Sequence, residues 1–151
     1  MDRTTVVLVG RRHEGCENLS LGYLQGALET EGFRTLTAAL NTVGDIERAA
    51  RTIVSSGAPL TGLSISDNHA AVLALGLGQF LHKLGYKGHI TAGGTFATLT
   101  RRWLLARYSW LCSVVRLAGE VPLVQLARAI QNGTSVHDLP GLTTRMGEGR
   151  C

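Results

Sequence analysis

Five times along this chain a short apolar run gives way to a helical pattern, and that alternation leaves few folds open. "TVVLV", residues 5 to 9, reads as a buried strand, and residues 18 to 31 follow as a helix with Leu21, Leu24 and Leu28 on one stripe before Gly32. "RTLTAAL" is a second strand. "VGDIERAARTIVSSG" is an amphipathic helix, with Ile46, Ala49, Ala50 and Ile53 at i, i+3, i+4 and i+7 and Gly57 as its stop. "LTGLSIS" is the third strand. "NHAAVLALGLGQFLHKLG" is a helix apolar nearly all round, which only burial explains. "GHITAGG" is strand four, residues 95 to 107 a further helix, and "SVVRLAG" strand five. Pro122 suits the first turn of a last helix, where its missing N–H is no loss, and Leu123, Leu126, Ala127 and Ile130 form that helix's buried stripe up to "NG".

Five strand–helix units in succession predict an α/β fold with a doubly wound, five-stranded parallel sheet covered by helices on both faces, of the flavodoxin-like or Rossmann-like kind. The domain is expected over residues 1–133. Residues 134–151, "TSVHDLPGLTTRMGEGRC", carry no strong pattern and read as a tail or the start of a linker.

Composition narrows the function classes. The net charge of +4 is spread along the chain without interleaved aromatic residues, which argues against nucleic-acid binding. The longest apolar run, "AAVLALGLGQFL", is too short to span a bilayer, and "MDRTT" does not open an export signal. The three cysteines, Cys16, Cys112 and Cys151, form no C-x-x-C pair, so thiolate zinc and iron–sulfur sites are excluded and a reduced, cytoplasmic setting is expected.

In doubly wound sheets ligands bind outside the carboxyl ends of the strands, so the loops there decide function. The first loop, "GRRHEGCEN", has neither G-x-G-x-x-G nor G-x-x-x-x-G-K-[ST], which argues against a dinucleotide or a nucleoside triphosphate on the first helix. Nor does it hold the Ser/Thr-rich phosphate cradle of a flavodoxin. A phosphorylation receiver needs acidic residues after strand one and a lysine after strand five. Arg11, Arg12 and "VVRLAG" stand there instead, although Asp67 follows strand three.

The remaining motifs resemble the cobalamin-binding domain. "GLSIS" is similar to the family's strand-three signature and "TAGGT" to its strand-four glycine pair. "ENLSLGYLQGALETEGF", "ITAGGTFAT", "VVRLAGEVPLVQLARAIQNG" and "LPGLTTR" resemble the cobalamin domain that precedes the catalytic barrel in cobalamin-dependent radical S-adenosylmethionine enzymes. The resemblance implies cobalamin as cofactor. It implies Glu17, Asn18, Ser64, Ser66, Gly93, Gly94, Thr95, Gly119 and Glu120 as its contacts, with the glycine pair letting the nucleotide tail pass close to backbone. In another branch of the family the first loop reads D-x-H-x-x-G-x-N, and its histidine ligates cobalt from below. His13 and Asn18 match that motif, while Arg11 and Cys16 replace its aspartate and glycine.

His13 is therefore a candidate cobalt ligand. Arg11 argues against it, because an arginine cannot accept the second ring N–H that orients a ligating imidazole. The expectation is a base-off cofactor without His13 on cobalt. Leu117–Ala118 also depart from the family, which usually repeats Gly-Glu there. No C-x-x-x-C-x-x-C motif and no catalytic triad or carboxylate pair occurs, so the chain is not expected to be catalytic alone. The resemblance implies a partner domain or subunit of radical S-adenosylmethionine methyltransferase type. A non-enzymatic cobalamin carrier or regulatory module, and a degenerate domain that binds only a protein, are the other readings.

Overall fold

The computed structural model describes residues 3–12 and 19–148. The parallel strands are β1 (Thr5–Gly10), β2 (Arg34–Ala39), β3 (Leu60–Ser64), β4 (His89–Gly93) and β5 (Ser113–Val115). Between and after them run α1 (Leu19–Thr30), α2 (Asp45–Ser56), α3 (Asn68–Lys83), α4 (Thr95–Arg107) and α5 (Glu120–Asn132). Two short strands follow, β6 (Leu142–Thr144) and β7 (Gly147–Glu148), giving a sheet ordered β2-β1-β3-β4-β5-β6-β7.

The sheet thus has seven strands and not the expected five. β6 pairs antiparallel with β5, placing Val114 opposite Thr143 and Val115 opposite Leu142, and β7 pairs antiparallel with β6. The sequence conceals both. At three and two residues they are too short to display a period, and "LTT" is polar at two of its three positions. Thr143 and Thr144 are nonetheless buried, because pairing at the sheet edge covers them.

Strand alternation sorts the core into two layers. Val6 and Leu8 face one side with Leu21, Leu28, Leu123 and Leu126, beneath α1 and α5. Val7 and Val9 face the other with Ile53, Leu77, Leu81 and Leu104, beneath α2, α3 and α4. α2 and α5 both stop at left-handed glycines, Gly57 (φ 66°) and Gly133 (φ 67°), as their sequences predict.

β1 and β3 are neighbours although β2 intervenes in the chain, so strand order reverses between them. That switch point is where the carboxyl ends of β1, β3 and β4 open under α1 and α5. No helix among the described residues is long and apolar enough to cross a membrane.

Candidate functional site

A cleft of about 270 Å³ opens at that position, between the sheet face and the helices α1 and α5. Its floor follows from register. On β3 and β4 the residues facing α1 and α5 pair as Leu60 with His89, Gly62 with Thr91, and Ser64 with Gly93. Side-chain bulk therefore falls toward the carboxyl ends, and the helices stand off a strip with almost no side chains. Two residues of strand, about 7 Å, separate the Ser64–Gly93 level from the Gly62–Thr91 level below it. Leu8 and Val115 flank the strip, Leu21, Tyr23 and Leu24 of α1 form one wall, and Leu123 of α5 contributes to the other.

Seven of the ten residues singled out in the sequence lie on this cleft: Ser64, Ser66, Gly93, Gly94, Thr95, Gly119 and Glu120. The other three, His13, Glu17 and Asn18, lie outside the described residues. The Ser64 and Ser66 hydroxyls have no hydrogen-bond partner among the described residues, so neither serves as a core serine tied to neighbouring backbone. Reading the strands back by two positions would have added Gly62 and Thr91, since alternate residues share a face.

The two adjacent glycines do different work. Gly94 is required by the protein itself. It holds φ 104° and ψ 172°, and a Cβ there would stand 2.5 Å from the Ile65 carbonyl oxygen. That oxygen also accepts the Ala97 N–H at 3.3 Å, satisfying one of the free donors of the first turn of α4. The sequence reading has Gly94 keep a passage open for a ligand; this backbone contact requires glycine there whether or not a ligand passes. Gly93 is not under that constraint. Its Cβ would meet only Val115, at 3.7 Å from the carbonyl oxygen, and its φ lies outside the left-handed region. The protein's own packing would admit a Cβ at 93, and the glycine lies on the cleft.

The rim is held by the segment beyond α5. The Gly141 carbonyl accepts the Arg116 N–H at 2.8 Å, and a Cβ on Gly141 would stand 2.7 Å from Pro122 Cγ, so the 116–119 loop and the first turn of α5 are seated against it. Leu117 in that loop is exposed and has φ 57°, a conformation that glycine tolerates better. Its N–H reaches Thr98 Oγ1 at 3.3 Å.

Electrostatics at the mouth are modest. Arg11 pairs with Asp67 at 3.5 Å. Asp67 caps α3 by accepting the Ala70 N–H at 2.8 Å, and its carboxyl is held below the usual range first by that bond and then by Arg11. The guanidinium in the place of the ligating branch's aspartate is thus engaged with the neighbouring loop. Arg12 anchors the other flank through reciprocal bonds with Asn41 and a 2.7 Å bond to Thr37. Beneath the cleft a buried polar chain runs from His89 Nε2 to Ser113 Oγ (2.8 Å) and on to Thr91 Oγ1 (2.8 Å). Burial pushes the His89 imidazole down to about 4. Among the described residues no three His, Cys, Asp or Glu side chains converge to hold a metal ion.

No protein-family description matches the sequence, and no curated protein matches it. Solved structures do resemble the fold. The radical S-adenosylmethionine methyltransferase TsrM from Kitasatospora setae, solved with cobalamin and a [4Fe-4S] cluster bound, superposes with TM-score 0.76 over 97% of this chain at 20% identity. The cobalamin-dependent S-adenosylmethionine radical enzyme OxsB, solved with aqua-cobalamin bound, gives TM-score 0.76 over 97% of this chain at 21% identity. This chain spans 30% of the TsrM chain and 22% of the OxsB chain. At these identities the likeness is one of fold.

Proposed function

We propose that this chain binds cobalamin, base-off, and presents it to a radical S-adenosylmethionine catalytic domain or subunit of methyltransferase type. The observation that carries the reading is Gly93: a cleft-floor position kept bare although neither backbone angle nor packing demands it. A cleft of about 270 Å³ is smaller than the usual range for whole small-molecule sites. It suits one arm of a large ligand whose bulk rests outside, at the strand ends. A nucleotide tail would fit that division, with the residues between the sheet and α1–α5 holding the tail and Ser66, Thr95, Gly119 and Glu120 at the rim available to the corrin. Both similar chains named above were solved with cobalamin, which supports the same assignment.

Cobalamin, when bound, supplies group-transfer chemistry at its cobalt. This chain's residues hold it. Ser64 and Ser66 offer free hydroxyls to the tail's polar edges, and Leu8, Leu21, Leu24, Val115 and Leu123 exclude water from it. Gly119 and Glu120 border the slot where α5 begins.

The test is retention. Protein mixed with hydroxocobalamin and desalted is expected to keep corrin absorbance, and Gly93→Leu is expected to lose it while unfolding at the same temperature as wild type within a few degrees. Absence of any corrin on folded wild-type protein would overturn the assignment.

The base-off state has its own check. His13→Ala is expected to change cobalamin affinity by less than about tenfold, about 1.4 kcal/mol. The electron paramagnetic resonance of the cob(II)alamin form is expected to show no nitrogen splitting from His13. A splitting present in wild type and absent in the variant would make His13 the lower ligand.

A further inference from the structure

The last strand, β7, does more than extend the sheet. Its Glu148 gathers guanidiniums from two places: Arg101 at 2.6 Å and Arg102 at 3.6 Å from α4, and Arg116 at 3.6 Å from the loop after β5. An isolated exposed ion pair contributes little. Here one carboxylate faces three cations, and the Arg116 side chain is only 12% exposed. The bond from Arg101 holds the Glu148 carboxyl below its usual range, so it is ionised at neutral pH.

Both arms of this cluster reach the cleft rim. Arg116 directly precedes Leu117, Ala118 and Gly119, which line the cleft. Arg101 Nη1 donates to the Thr98 carbonyl at 2.7 Å, and the Thr98 hydroxyl accepts the Leu117 N–H at 3.3 Å. Leu117 is the residue that needs holding. Among the described residues it is the one non-glycine with positive φ, 57°, and it is 77% exposed, so packing does not fix it. A leucine persists in that backbone region only where its surroundings over-determine it. Those surroundings are the Gly141 carbonyl on the Arg116 N–H, the Thr98 hydroxyl on the Leu117 N–H, and Glu148 behind both.

We propose that Glu148 is a positioning residue of the cleft: through Arg101 and Arg116 it holds the 116–119 loop in the left-handed form that sets the rim. The stretch that reads in sequence as a tail thereby fastens the site. Only the ligand used to report on the rim rests on the cobalamin reading. Without the carboxylate, three cations face one another, two of them no more than 25% exposed. The loop then gives way, and Leu117 samples the ordinary negative φ as well. The binding form becomes a minor one, and affinity falls by the fraction lost. For one leucine in this backbone region that is about tenfold.

Amide relaxation of the free 151-residue chain, and its titration with hydroxocobalamin, test this. The Leu117 and Ala118 amides are expected to be rigid in wild type, with order parameters of about 0.85, and to fall below about 0.6 in Glu148→Gln. The β4 amides are expected to stay unchanged, the unfolding temperature to stay within a few degrees, and hydroxocobalamin to bind about tenfold more weakly. Arg101→Gln cuts the clasp from the side of α4 and is expected to do the same. Leu117→Asn places a residue suited to positive φ at the strained position. In that background Glu148→Gln is expected to leave the rim rigid, a rescue that a merely structural ion pair would not show. A rim as rigid in Glu148→Gln as in wild type overturns the inference, and so does a loosened rim with unchanged hydroxocobalamin affinity. Both leave the cobalamin reading standing. If wild type binds no hydroxocobalamin, that reading falls, and the Leu117 and Ala118 order parameters alone decide the role of Glu148.

Discussion

Gly94→Ala is expected to destabilise the free protein by about 3 kcal/mol or more, with no ligand present. Two costs combine. The backbone at φ 104°, ψ 172° is a conformation populated almost solely by glycine. The added methyl would also stand 2.5 Å from the Ile65 oxygen and 2.8 Å from its carbonyl carbon. Those are backbone atoms at the end of β3, and they cannot step aside as a side-chain tip can. Moving them disturbs the Ile65 N–H bond to the Gly93 carbonyl (2.7 Å) and the bond from Ala97 that starts α4. Urea unfolding of both glycine variants measures the contrast. Gly93→Ala is expected to stay within about 1 kcal/mol of wild type, the ordinary range for a site without a named source of strain. A Gly94→Ala protein as stable as wild type would mean that the turn has another conformation.

The second large effect is one of pH. His89 is neutral in the fold because burial disfavours its charged form, and its ordinary value of 6.5 is pushed down to about 4. In the unfolded chain the imidazole takes up its proton as the pH falls through 6.5, while the folded protein refuses it until about 4. The stability that His89 permits is thus full above 6.5, is lost progressively below it, and levels off below 4. The loss by pH 5 is about 2 kcal/mol, and about 3 kcal/mol in all. Carboxylates such as Asp45 and Asp67, held low by backbone N–H bonds, lose their stabilisation only at lower pH. The window from 6.5 to 5 therefore reports His89. His89→Gln keeps a donor for Ser113 and removes the titration, so its stability is expected to stay level across that window. Parallel decline in wild type and variant would assign the loss to other groups.

The same residues show how far a sequence reading reaches. Periodicity located all five helices and all five parallel strands, because each is long enough, or apolar enough, to display its repeat. Strand-end motifs brought Ser64, Ser66, Gly93, Gly94, Thr95, Gly119 and Glu120 onto one cleft, since parallel strands all deliver their carboxyl ends to the same edge. What linear pattern cannot carry is pairing. β6 and β7 exist because β5 offers a free edge, and Gly141 is fixed by Pro122, nineteen positions earlier in the chain. Nor does adjacency distinguish two glycines. Gly93 and Gly94 are identical letters, yet one faces open cleft and the other presses on Ile65, which directly follows β3. The His89–Ser113–Thr91 chain likewise joins residues from β4 and β5, and no spacing rule announces it. Local repeats, which depend on neighbours along the chain, were determined by the sequence. Contacts across the sheet, which depend on register and on which edge remains free, were decided only by the tertiary structure.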